Sequence, residues 1–122
     1  VLIAYNVNLA SDRLDVARKI ASAIRERDGG LPCVKALGLK LDDRGLVQVS
    51  INLTDYKRTP PLAVFDRVVE EAARDGVDVL ESELVGLIPA EALANTTAAH
   101  LRLRDFSDDQ ILENRLRDAG LI

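Results

Sequence analysis

The sequence has no methionine, no tryptophan, one cysteine and one histidine. A lone Cys33 excludes an intrachain disulfide and any thiolate-rich metal cluster. Acidic residues outnumber basic ones, 20 to 16, for a net charge of −4. That excludes a general nucleic-acid binder, which needs a basic surface to displace counterions. No apolar run approaches the ~18 residues of a membrane span. No basic start followed by an apolar stretch marks a signal peptide. The glycines form neither GxGxxG nor a phosphate loop. Asp42-Asp43 and Asp108-Asp109 read as turn and helix-start residues, without metal-site spacing, so no metal is expected. No internal repeat or low-complexity segment interrupts the chain.

What remains is one domain's worth of chain. The length of 122 residues with 48% apolar content is enough for a single packed core. Residues 1–9 alternate with period two, Val1, Ile3, Tyr5, Val7 and Leu9 against Leu2, Ala4, Asn6 and Asn8. The alternation begins at Val1 with no lead-in, and the expectation is a domain of a longer protein. Ser11 reads as the cap of a helix of about four to five turns carrying Leu14, Ala17, Ile20, Ala21 and Ile24, stopped by Gly29 and Gly30. Strands follow at 34–41 and 46–54, joined by the turn Asp42-Asp43-Arg44-Gly45. Thr59 reads as the cap of a second helix, with Pro60 and Pro61 in its first turn and Gly76 at its end. A fourth strand is expected at 77–83, a short alanine-rich helix from Pro89 to about residue 98, an extended piece at 100–104, and a last helix capped by Ser107.

The first six elements run β-α-β-β-α-β. This is the split order of an α+β ferredoxin-like sandwich, an antiparallel sheet with both helices on one face, here with a C-terminal helical extension. The expected spatial order of strands is 4-1-3-2. The face away from the helices then carries Asn6, Asn8, Gln48, Ser50 and Asn52, with the small residues Ala4, Ala36 and Gly38 between them. Amides offer donor and acceptor together and suit a ligand that presents both; a solvated face, or one buried against another domain, is the plainer alternative. Glu81 and Glu83 share one face of the fourth strand, where a carboxylate is costly unless paired or used. In this order Asn8 should lie nearest Gln48, with Asn52 and Glu83 toward the other end, near Ala4 and Leu2. His100 has no acidic or nucleophilic partner nearby in sequence to support acid–base work, and Cys33 reads as a small apolar filler.

Three segments carry a resemblance. IAYNVNL (3–9), GLVQVSINLTDY (45–56) and SELVGLIPAEAL (82–93) resemble glutamate formiminotransferases, in the C-terminal half of the formiminotransferase domain that also occurs in formiminotransferase-cyclodeaminase. The tail RDFSDDQILENRL is similar to the bacterial single-function members. The resemblance implies that residues 1–122 are the C-terminal subdomain of an enzyme that moves a formimino group between N-formimino-L-glutamate and tetrahydrofolate in histidine breakdown. It implies tetrahydrofolate as co-substrate, an N-terminal subdomain holding the acid/base histidine, a homodimer and a cytoplasmic location. No catalytic residue is then expected in this chain. The folate and substrate contacts carried over are Asn6 and Asn8 (the N-x-N strand end), Gln48, Ser50 and Asn52 (the QVSxN strand) and Glu83, where members carry Gln or Glu. Two alternatives stay open beside it: a non-catalytic ferredoxin-like small-molecule-binding module, and a formyl-transferring folate enzyme. An RNA-binding sheet fits poorly, because the third strand has no aromatic before Tyr56.

Overall fold

The computed structural model describes residues 2–122; the expected strand residue Val1 lies outside them. β1 (Ile3–Leu9) leads into α1 (Leu14–Ile24). A single 3-10 turn, Glu26–Asp28, then leads into β2 (Val34–Leu41) and β3 (Leu46–Leu53). α2 (Pro61–Arg74) and β4 (Val79–Val85) complete the six-element order. The sheet order is β2-β3-β1-β4, with every neighbouring pair antiparallel. This is the expected 4-1-3-2 arrangement of a ferredoxin-like α+β fold.

The core lies between the sheet and the two helices. Ile3, Tyr5, Val7 and Leu9 of β1 and Val47, Val49, Ile51 and Leu53 of β3 are all buried on one face. They meet Val16, Ala17, Ile20 and Ile24 of α1 and Val64, Phe65, Val68 and Ala72 of α2. Each fully buried valine, isoleucine or leucine contributes about 1.5–3 kcal/mol, which makes this layer the main source of stability.

Several local expectations are corrected. With 11 residues, α1 has about three turns rather than four to five. Its N-cap is Arg13, without a side-chain cap bond, while the Ser11 hydroxyl, two residues earlier, accepts from the Arg13 N–H. Thr59 does not cap α2. Pro60 takes that position, and the buried Thr59 donates to the Pro32 carbonyl at 2.6 Å, tying the α2 entrance to the start of β2. β4 runs two residues later than expected. The alanine-rich stretch is not an α-helix. Only Ala90–Leu93 coils, as a 3-10 turn, and the rest turns back so that Ser82 N–H meets Arg102 O and Arg104 N–H meets Ser82 O. This short parallel bridge covers the outer edge of β4, where bare backbone groups would otherwise face solvent. Ser107 does cap, its hydroxyl accepting from the Asp109 N–H and its own N–H donating to Gln110 Oε1, but it caps the 3-10 turn Asp108–Gln110 that precedes α3 (Leu112–Asp118).

The largest correction concerns β2. Ala36 and Gly38 do not lie on the amide face. The connection Asp42-Asp43-Arg44-Gly45, with Gly45 at φ 65, makes Leu41 face Leu46. That parity places Ala36 opposite Ile51 and Gly38 opposite Val49, both on the helix side. α1 comes so close there that a Cβ on Gly38 would stand 2.6 Å from Arg18 N and 2.8 Å from Ala17 C. Leu37 and Leu39 therefore fall on the open face, 61% and 41% exposed.

Candidate functional site

The open face is a grid of three registered rows. One row reads Lys35, Asn52, Ala4, Val85. The next reads Leu37, Ser50, Asn6, Glu83. The third reads Leu39, Gln48, Asn8, Glu81. In the second and third rows Leu37 and Leu39 thus stand on the β2 edge and polar side chains over β3, β1 and β4, while the first row mixes Lys35 and Asn52 with Ala4 and Val85. The pairing of Asn8 with Gln48 and of Asn52 with Ala4 is as expected. Glu83 is not at the Ala4 end. It faces Asn6, because β4 begins and ends two residues later than the pattern suggested.

The polar residues form one connected network. Asn8 donates from Nδ2 to Glu81 Oε2 at 2.8 Å. Gln48 donates from Nε2 to Asn8 Oδ1 at 2.9 Å and to Glu83 Oε1 at 3.2 Å. Asn6 donates from Nδ2 to the same Glu83 Oε1 at 3.3 Å. Arg44, from the β2–β3 turn, clamps Glu81 with Nη1 at 2.6 Å from Oε2 and Nη2 at 3.3 Å from Oε1. Arg104, from the returning tail, stands 3.5 Å from Glu81 Oε2. The Arg44 guanidinium, helped by the Asn8 amide and opposed by burial, holds the Glu81 carboxyl below its ordinary range. Asn8 and Gln48 are both buried, at 1% and 5% exposure.

Of the residues singled out from sequence, Asn6, Asn8, Gln48 and Glu83 come together in this network. Ser50 and Asn52 do not join it. They line a cleft of about 690 Å³ with Arg25, Glu26, Lys35 and Leu37, at the β2 side of the same face. Sequence reasoning missed Arg44, which reads only as a turn residue, and gave Glu81 no role. The signal was present in the period-two spacing of Glu81 and Glu83 combined with the register against Asn8. His100 stands elsewhere. Its Nε2 lies 3.0 Å from Asp66 Oδ1 on α2, and its ring meets Phe65 edge-on at 5.7 Å, on the helix side of the sheet. The acidic partner absent near it in sequence is thus supplied by the fold. No group of three or more potential metal ligands occurs among the described residues, and no helix there is long and apolar enough to cross a membrane.

The chain is similar to known proteins along nearly its whole length. Residues 4–119 match the formiminotransferase domain. The chain is 48% identical over 119 residues to the glutamate formimidoyltransferase of Thermoplasma acidophilum, covering 98% of this chain and 39% of that protein. It is 43% identical over 116 residues to the glutamate formimidoyltransferase of Streptococcus pyogenes serotype M1, again covering 39% of the relative. Identity to the formimidoyltransferase-cyclodeaminase of Sus scrofa is 36% over 127 residues, or 23% of that protein. The chain therefore spans about two-fifths of the glutamate formimidoyltransferases it matches or less of the fused enzyme. With nearly every described residue inside the matched range, the chain belongs to the formiminotransferase domain family.

Proposed function

We propose that this chain is the C-terminal subdomain of a glutamate formimidoyltransferase, and that its open sheet face forms one side of the cleft where the formimino group passes between N-formimino-L-glutamate and tetrahydrofolate in histidine breakdown. The match to glutamate formimidoyltransferases over 94–98% of the chain carries this reading. The open face supports it. A sheet face that merely met solvent would carry scattered charges, whereas this one holds a connected polar network beside exposed leucines and an adjoining cleft. Asn6, Asn8, Gln48, Ser50, Asn52 and Glu83 are the residues assigned to folate and substrate. Leu37 and Leu39 give the same face an apolar margin on which an N-terminal subdomain would close. The reading includes a cytoplasmic homodimer and an acid/base histidine supplied by that N-terminal subdomain, since His100 lies on the other side of the sheet.

The test is an assay of formimino transfer to tetrahydrofolate with this chain alone and with the chain joined to its N-terminal subdomain. The expected result is no turnover by the first and turnover by the second. Turnover by the chain alone would overturn the assignment of the histidine. A joined protein that binds folate without transfer would favour a binding module, and one that accepts only a formyl donor would favour the formyl-transferring alternative.

A further inference from the structure

The two carboxylates of the open face have different surroundings. Glu81 is compensated by Arg44 and Arg104. Glu83 meets two amide N–H groups and, among the described residues, no cation within ion-pair distance. An ionised carboxylate accepts and cannot donate. Asn8 must therefore turn Nδ2 toward Glu81, which leaves Oδ1 toward Gln48. Gln48 must then present Nε2 to Asn8, and the same nitrogen also satisfies Glu83. Each end of the chain is held by a carboxylate, so the direction of every amide between them is determined. Both N–H groups of Gln48 are used inside the network, and Asn6 and Asn8 each donate one of theirs to a carboxylate. Gln48 Oε1 and Asn6 Oδ1 accept no hydrogen bond among the described residues, and both belong to side chains that donate to Glu83, which Arg44 reaches only through space. The side chain bearing Gln48 Oε1 is itself only 5% exposed.

We propose that Arg44 and Glu81 are positioning residues that set this polarity, and that the patch of Gln48, Asn6 and Glu83 takes a cationic group rich in N–H donors, an amidinium. The face offers oxygen acceptors and one carboxylate with no cation in direct contact, the complement of a planar cation with parallel N–H groups. The inference rests on reading this face as a ligand wall, as in the proposed function, and gives that wall a chemical preference. A formimidoyl group carried on an amine is itself an amidine.

The test is a titration of this chain with acetamidinium and, separately, with tetramethylammonium, which has the same charge and no N–H. The readout is the side-chain amide resonances of Asn6 and Gln48 by nitrogen-15 NMR. Acetamidinium should shift them saturably and tetramethylammonium should not. The exchange variant Arg44→Glu with Glu81→Arg keeps an ion pair but sets a donor against Asn8. Asn8 then turns Oδ1 toward position 81, Gln48 must accept through Oε1, and Nε2 points outward. This variant should bind acetamidinium about tenfold or more weakly, the loss of a hydrogen bond to a charged group. If it does not fold, Glu83→Gln, which removes the carboxylate charge and keeps the shape, should show the same loss. Equal shifts with both cations, no shift with either, or a folded variant that binds acetamidinium like the parent would overturn the proposal. A joined enzyme without formimino transfer would overturn the proposed function and leave this titration as it stands.

Discussion

Asn8 on β1 donates to Glu81 on β4 at 2.8 Å from a position that is only 1% exposed. A buried amide donor left without a partner is destabilising. Glu81→Ala should therefore lower unfolding stability by about 1–3 kcal/mol, read by urea denaturation. Glu81→Gln, which keeps an acceptor for Asn8, should lose less. A Glu81→Ala protein as stable as the parent would show that the network does not support the fold.

The same carboxylate makes stability depend on pH. Arg44 holds the folded Glu81 below its ordinary value of 4.5. The unfolded state therefore takes up the proton first as pH falls. The contribution of Glu81 is complete above that ordinary value and disappears as pH drops through the lower folded one. The stability difference between the parent and Glu81→Gln should be open at neutral pH and should close in acid. A difference that stays constant across that range would contradict the ion pair.

Gly38 is required by packing against α1. A methyl group there would stand 2.6 Å from the Arg18 nitrogen, a backbone atom that cannot swing away. Gly38→Ala should lower stability by about 1–3 kcal/mol, the range for overpacking a tight site. Thermal unfolding followed by circular dichroism measures it, and an unchanged midpoint would mean that α1 sits farther from β2.

Tyr5 is fully buried, and its hydroxyl meets no hydrogen-bond partner among the described residues. Burial pushes its ionisation well above the ordinary tyrosine range. Removing an unsatisfied buried hydroxyl removes a desolvation penalty. Tyr5→Phe should thus be neutral or more stable than the parent in urea denaturation. A clear loss would reveal a partner for the hydroxyl, with neighbouring Ser82 the first to examine.

Much of this was legible in the residues. The alternation in β1 and β3 identified the buried face correctly, and the β-α-β-β-α-β order led to the right strand neighbours. The side of β2 was not read correctly, because Leu37, Leu39 and Leu41 look like a core stripe when taken alone. The parity imposed by the four-residue turn decides against them, and the close approach of α1 reserves the inner position for Gly38. The alanine-rich stretch has helical propensity, yet the chain there instead folds back to pair with Ser82, a tertiary demand that no local window contains. The amides were legible as a group. Their direction was not, because it depends on Glu81 and Glu83 closing the network from a strand more than 70 residues away in the chain.

The most direct test of the central claim is the affinity of the joined enzyme for tetrahydrofolate, measured by isothermal titration calorimetry in the parent and in Asn52→Ala, Glu83→Gln and Glu83→Ala. The account predicts that Asn52→Ala weakens binding by about 1–3 kcal/mol, the cost of leaving a buried ligand group unpaired, and that Glu83→Ala is worse than Glu83→Gln. Parent-like affinity and turnover in all three would contradict the open sheet face as the folate wall.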